Sequence, residues 1–389
     1  MDTTTHLTLS PEAAQARAIR RTDMVACKLA FIDCKLPGSD LKENYSLIGP
    51  GVTQSDEQFV NITEPHGFSV GVGAMPPGVT NNLHVHFTAE VFLVQEGRWR
   101  FRWGNGRTMH EVEGVPGDVL SVPTWIFRGF TNVGTDNGWI VTALGGDDTG
   151  GIIWHPSILK AAAEHSLYLS RDNMLVEVAP GGEAPAPQTL ITPLTDDDMN
   201  GLRLYTPEEM ATRMLKAEAR EWSSTALLGA LQAGAGCELA PVLGFGITEQ
   251  RAHIAPIQGA HGFSIDWLRL APGGRTGCFL LREKQVLSVM QGTVEILVNQ
   301  GADAVAVRLG PQDVYATPAG VWREIRSVGD IPAEIGVMTS GDHRKRIVWS
   351  NEVQQQAEAA GFVLDPDGRI ASKRLLPPTA LGIGVVLAA

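Results

Sequence analysis

Between Asn81 and Gly97 the chain reads NNLHVHFTAEVFLVQEG, in which polar and apolar positions alternate before giving way to an apolar run. A period of two marks a β-strand, whose alternate side chains share a face. The pattern predicts one strand with His84, His86, Thr88 and Glu90 on one side and Val85, Phe87 and Ala89 on the other. Phe92 and Val94 continue the first side. Similar short stretches recur along the chain, punctuated by glycine, proline and turn pairs such as Asn105-Gly106. Many short strands at close spacing predict an all-β sandwich or closed barrel, with helices only as decoration. Those helices are PEAAQAR from Pro11, PSILKAAAEH from Pro156, PEEMATR from Pro207 and NEVQQQAEAA from Asn351. Thr206 and Glu209 fit a capping box, with Pro207 at the first helical position.

The pattern is written twice. HGFSV begins at His66 and HGFSI at His261, a displacement of 195 (261 − 66). The same shift carries Gly97 onto Gly292, Asp118 onto Asp313, Arg128 onto Arg323, Gly146-Asp147 onto Gly341-Asp342 and Trp154 onto Trp349. The helical leaders at Pro11 and Pro207 match with one inserted residue. The expected organisation is a first domain over 1–180, a linker over 181–205 and a second domain over 206–389. The Pro, Gly and Ala richness from Val178 to Asp198 suits the linker.

Composition narrows the function classes. Lysine plus arginine number 31 against 43 acidic residues, a formal charge of −12, which opposes a broad nucleic-acid or anionic-membrane surface. A small-molecule substrate is the expected partner. Four cysteines without a CxxC pair read as reduced thiols. The N-terminus shows no basic-then-apolar leader, and no apolar run reaches the roughly 18 residues of a membrane span, so a cytoplasmic location is expected. The apolar tail ALGIGVVLAA fits a strand or a subunit contact, and a homo-oligomer is expected.

The second copy acts as a control for the first. Adding 195 to His84, His86 and Glu90 gives Phe279, Leu281 and Gln285. Apolar residues thus suffice for the scaffold, and burying two imidazoles and a carboxylate costs several kcal/mol without compensation. His84, His86 and Glu90 are therefore the candidate ligands of a divalent transition metal, Fe(II) first, with Mn, Ni or Zn as alternatives. His66, which recurs as His261, is taken as structural, as are Gly146-Asp147 and Trp154. His110, opposite Val305, stays a distant candidate ligand, while His155 and His165 are read as surface residues.

These residues also carry a resemblance. The spacing from Gly78 through His84, His86 and Glu90 to Gly97 is similar to the first conserved motif of the cupin superfamily, and Gly117-Asp118 through Pro123 to Asn132 resembles the second. Two departures stand out: Trp125 replaces the usual glycine and Arg128 the usual metal-binding histidine. The resemblance implies a bicupin, two small jelly-roll barrels (double-stranded β-helices), of the kind found in dioxygenases, decarboxylases, isomerases and binding proteins. The two-barrel layout, with one metal-competent copy, resembles gentisate-type ring-cleaving dioxygenases more than oxalate decarboxylases. Arg128 is the candidate catalytic residue, holding a substrate carboxylate or enolate; it could equally pair with Glu90 and lower that group's pKa, or form a structural pair shared with Arg323. Trp125, Phe92, Phe127 and Phe130 are candidates for an apolar substrate wall.

The expected function is a mononuclear metal dioxygenase acting on a small aromatic or enolisable carboxylated substrate. The alternatives are a metal-dependent lyase, isomerase or decarboxylase, and a non-catalytic small-molecule-binding bicupin.

Overall fold

The computed structural model describes residues 6–179 and 181–380, and it is built from strands with short helices at their margins. The apolar tail ALGIGVVLAA lies outside the described residues from 381 onward. Two compact units emerge. One comprises 24–219; the other joins the segment up to Asp23 with 220 onward.

Each unit is built on two main antiparallel-rich sheets, whose shared strands follow the same order, with a small two-stranded sheet beside them. In the 24–219 unit the larger sheet runs Met214–Leu215, Val119–Val122, Glu90–Glu96, Gly138–Gly145, Phe68–Met75, Glu43–Ile48, Val60–Ile62. The smaller runs Ile152–Trp154, Thr80–His86, Phe127–Asn132, Trp99–Gly104, Met109–Gly114. In the other unit the order Val314–Thr317, Gln285–Gln291, Ala333–Ser340, Phe263–Leu270, Cys237–Leu243 repeats the larger sheet at a shift of 195. The all-β jelly-roll expectation holds, twice over.

The units cut the chain differently from the sequence repeat. The edge strand Ala18–Ile19, just after the first leader, pairs with Val314–Thr317, and Met214–Leu215, after the second leader, pairs with Val119–Val122. Ala14 of the helix Pro11–Gln15 is buried among Leu287, Tyr315 and Val321, whereas Met210 of Pro207–Ala211 is buried with Phe92, Val94 and Leu120. Each leader therefore belongs to the barrel of the other copy. Repeat arithmetic is blind to this exchange, because each copy carries a leader in the same place.

Local signals resolve as their chemistry requires. The Thr206 side chain accepts from the Glu209 N–H at 3.2 Å, and the Glu209 carboxylate accepts from the Thr206 N–H at 2.8 Å, which closes the capping box. Asn105 Oδ1 accepts from the N–H groups of Arg107 and Thr108, shaping the hairpin turn in which Gly106 takes φ 90°. Asp147 Oδ1 accepts from the N–H groups of His66 and Gly67, and Asp342 Oδ1 from those of His261 and Gly262. The recurring His-Gly and Gly-Asp pairs are one loop clasp used in both barrels. The helices Pro156–Glu164 and Asn351–Ala359 fall where expected. Cys27, Cys34, Cys237 and Cys278 form no disulfide. No helix among the described residues is long and apolar enough to cross a membrane.

Candidate metal centre

The continuous strand predicted from Asn81 to Gly97 is two strands. The first, Thr80–His86, belongs to the smaller sheet and the second, Glu90–Glu96, to the larger, so the chain crosses between layers at Phe87–Ala89. His84 and His86 share a face by alternation, but Glu90 reaches them from the opposite sheet. Their ligand atoms lie within 4.8 Å of one another, all three buried. Among the described residues this is the one such cluster of histidine, cysteine and acid side chains. His110 is elsewhere, its ring 5.7 Å from that of Trp103.

The hydrogen-bond geometry fits a cation. His84 Nδ1 sits 2.7 Å from the Asn82 carbonyl oxygen, which holds the proton on Nδ1 and leaves Nε2 as a lone pair. That Nε2 is 3.0 Å from His86 Nε2, whose own Nδ1 is buried without a partner. If His86 also carries its proton on Nδ1, two lone pairs face each other. A separation of 3.0 Å is what two neighbouring ligands at a right angle show on an ion with bonds of about 2.1 Å. Glu90 Oε2 stands 3.5 Å from His86 Nε2, which completes a donor set of two imidazoles and a carboxylate. Burial pushes His84 down to about 3 and His86 well below its ordinary value, with the Arg128 cation adding to both effects. Both rings are neutral near pH 7, as ligands must be.

Arg128 sits beside His84 in the strand register, 1% exposed. It donates through Nη1 to Glu90 Oε2 at 3.3 Å and through Nη2 to the Pro123 carbonyl at 2.6 Å. Burial raises the Glu90 pKa and the Arg128 charge only partly offsets it, so the expected lowering is outweighed by desolvation. Arg323 repeats the contact in the other barrel, donating through Nη1 to Gln285 Oε1 at 3.3 Å. Phe279 there stands between Arg323 and Trp349, as His84 stands between Arg128 and Trp154. The arginine is thus common equipment, whereas the ligands are not.

A cavity of about 60 Å³ opens on the ligands, lined also by Lys42, Asn81, Phe130 and Trp154. The structure places three of the candidate wall residues elsewhere. Phe127 neighbours Arg128 in the strand and so faces the opposite side, packing with Val85 and against the His155 ring at 5.2 Å. Phe92 lies in the apolar interior behind Phe130, their rings 5.1 Å apart. Trp125 is 50% exposed, its ring on Phe87 at 5.3 Å. Its backbone takes φ 56°, the left-handed conformation that its counterpart Gly320 adopts at 74° without strain.

Sequence reasoning missed Lys42, Asp33 and Asn81. Lys42, 3% exposed, pairs with Asp33 and donates to Asn81 Oδ1 at 2.7 Å. The repeat held the signal: Lys42 maps onto Cys237, Asn81 onto Thr276, and the turn bearing Asp33 onto Leu228–Leu231, which has no acid.

Comparison with solved structures gives the fold a name. Lactobacillus farciminis oxalate decarboxylase in a formate complex matches with a TM-score of 0.55 at 12% identity, over 90% of this chain and 92% of that one. Momordica charantia 7S globulin matches at 0.52 and 11%, over 91% and 94%. Bacillus subtilis oxalate decarboxylase at pH 4.6 matches at 0.51 and 11%, over 95% and 89%. The fold is that of a bicupin. No protein-family model and no curated protein sequence matches the chain. At these identities the neighbours establish the tandem bicupin architecture; they do not extend to the narrower likeness with gentisate-type dioxygenases.

Proposed function

We propose that the protein is a divalent-metal-dependent lyase of the decarboxylating kind, acting on a small carboxylic acid that chelates the ion. The observation that carries this reading is the convergence of His84, His86 and Glu90 on a small cavity in one bicupin barrel, at positions held by Phe279, Leu281 and Gln285 in the other. An ion bound there supplies a Lewis acid for a chelated carboxylate or carbonyl. The chain's own residues hold and shield the site. The Asn82 carbonyl fixes the His84 tautomer, and Arg128 holds Glu90 by its Oε2. Arg128 does not line the cavity and donates to Glu90 and to the Pro123 carbonyl, which supports a positioning role. Phe130 and Trp154 give the cavity apolar walls.

The size of the cavity suits a small acid. About 60 Å³ accommodates about four to six water-sized spheres. The named activity of the oxalate decarboxylase neighbours leans the same way, although that likeness is one of fold. A second reading, an Fe(II) dioxygenase, is supported by the donor set itself: two imidazoles and one carboxylate with open positions suit oxygen chemistry, and equally accommodate Mn, Ni or Zn.

Gas exchange separates the two. Protein purified anaerobically and loaded with Mn(II) or Fe(II) in turn is given short chelating acids. Carbon dioxide release without oxygen is the expected result, abolished by His84→Ala. Turnover that requires stoichiometric oxygen uptake replaces this reading with the dioxygenase one. An ion-loaded protein that turns over nothing under either gas contradicts both and leaves a binding bicupin.

A further inference from the structure

The cavity that holds the three ligands has a second chemical pole. Lys42 precedes the strand Glu43–Ile48 and lines the cavity, whereas its partner Asp33 is wholly buried behind it. The ammonium donates to Asp33 Oδ1 and to Asn81 Oδ1, and it stands 5.1 Å from the centroid of the Phe31 ring and 5.7 Å from that of Trp154. The Trp154 ring in turn lies 5.3 Å from the His84 ring. An ammonium carries three donors, and two are occupied.

Charge balance points to what the third donor meets. Glu90 offsets Arg128, and Asp33 offsets Lys42. Two neutral histidines then leave a divalent ion uncompensated in a buried site, and a dianionic ligand neutralises it. A wall made of a lysine and two aromatic faces receives a carboxylate at a distance from the ion. The bicupin's other barrel carries neither pole: Cys237 stands for Lys42 as Phe279 stands for His84.

We infer that Lys42 is the specificity-determining residue for a dianionic substrate, its ammonium receiving a second carboxylate while the first chelates the ion held by His84, His86 and Glu90. This goes one step beyond the metal-site reading above and rests on it. The competing role is that of a brace. Asp33 Oδ2 also accepts from the Asn82 N–H at 3.0 Å and from Asn82 Nδ2 at 3.2 Å, so the Lys42–Asp33 pair also steadies the strand that bears the histidines.

Calorimetric titration of the full chain, loaded with Mn(II), tells the roles apart. The probes are two matched pairs, malate with 2-hydroxybutyrate and tartronate with lactate. Within each pair the chelating hydroxy-acid end is shared, and one member has a methyl group in place of the second carboxylate. Wild type is expected to prefer the dianion of at least one pair by about tenfold or more, the scale of a hydrogen bond between charged groups. Lys42→Met brings that ratio close to one with Mn(II) content unchanged by elemental analysis. The double variant Asp33→Asn/Lys42→Met leaves no lone charge buried and gives the same result should the single variant fail to fold. A wild type without preference overturns the inference, as does a folded variant that keeps it. Loss of Mn(II) from Lys42→Met assigns the residue to bracing and overturns it too. A wild-type chain that takes up no Mn(II), Fe(II), Ni(II) or Zn(II) removes the metal site itself, and the inference with it.

Discussion

The two barrels differ least in their sheets and most in what those sheets enclose. Strand order, the loop clasps at Asp147 and Asp342, and the arginine beside the inner strand are the same in both. In one barrel Arg128 faces a carboxylate flanked by two imidazoles; in the other Arg323 faces the neutral isostere Gln285 amid Phe279, Leu281 and Leu287. The comparison teaches that the bicupin scaffold does not need the polar triplet. On the proposed metal-site reading, an ion compensates the desolvation of His84, His86 and Glu90 in the 24–219 barrel.

The sharpest way to break this comparison is to remove each arginine. Arg128→Met leaves Glu90 buried without its cation, and a cost of about 3–5 kcal/mol in the metal-free protein is expected. Arg323→Met leaves only an amide, and its cost is expected to be clearly smaller, near 1–3 kcal/mol. Urea denaturation of the two variants checks this; equal costs would mean that Glu90 is not charged beside Arg128.

A gentler contrast lies beneath the two tryptophans. Trp154 Nε1 donates to Gln54 Oε1 at 3.0 Å, whereas Trp349 Nε1 donates to Glu249 Oε1 at 2.7 Å. Burial pushes Glu249 up to about 8, against which its hydrogen bonds and the nearby arginines act only in part. A carboxyl whose folded pKa exceeds its unfolded one binds protons more tightly when folded. Its stabilising contribution is present below about 4.5 and is lost as pH rises through about 8, a few kcal/mol at most. The buried imidazoles of His84 and His86 act in the opposite sense below about pH 6.5, so the check is a difference between two proteins: in thermal denaturation the wild type should lose stability relative to Glu249→Gln as pH rises from 5 to 8. A difference that stays constant over that range would contradict the assignment to Glu249.

How much was legible follows from which signals are local. Alternation put His84 and His86 on one face, and the repeat singled out the triplet against Phe279, Leu281 and Gln285. The same alternation, applied strictly to Phe127 and Arg128, would have turned Phe127 outward and kept Phe130 on the cavity side. Lys42, Asp33 and Asn81 were missed because they converge only through tertiary packing, from a turn, a strand entry and a second strand. The exchange of leaders was invisible for the same reason: Ala14 and Met210 are apolar helix positions that fit either barrel.

The most direct measurement is elemental analysis of the wild-type chain beside the triple variant His84→Phe/His86→Leu/Glu90→Gln, which rebuilds the interior of the other barrel. One divalent transition-metal ion per wild-type chain and none in a variant at least as stable to heat is the expected result. A wild type that binds no such ion, or a variant that still does, would contradict it.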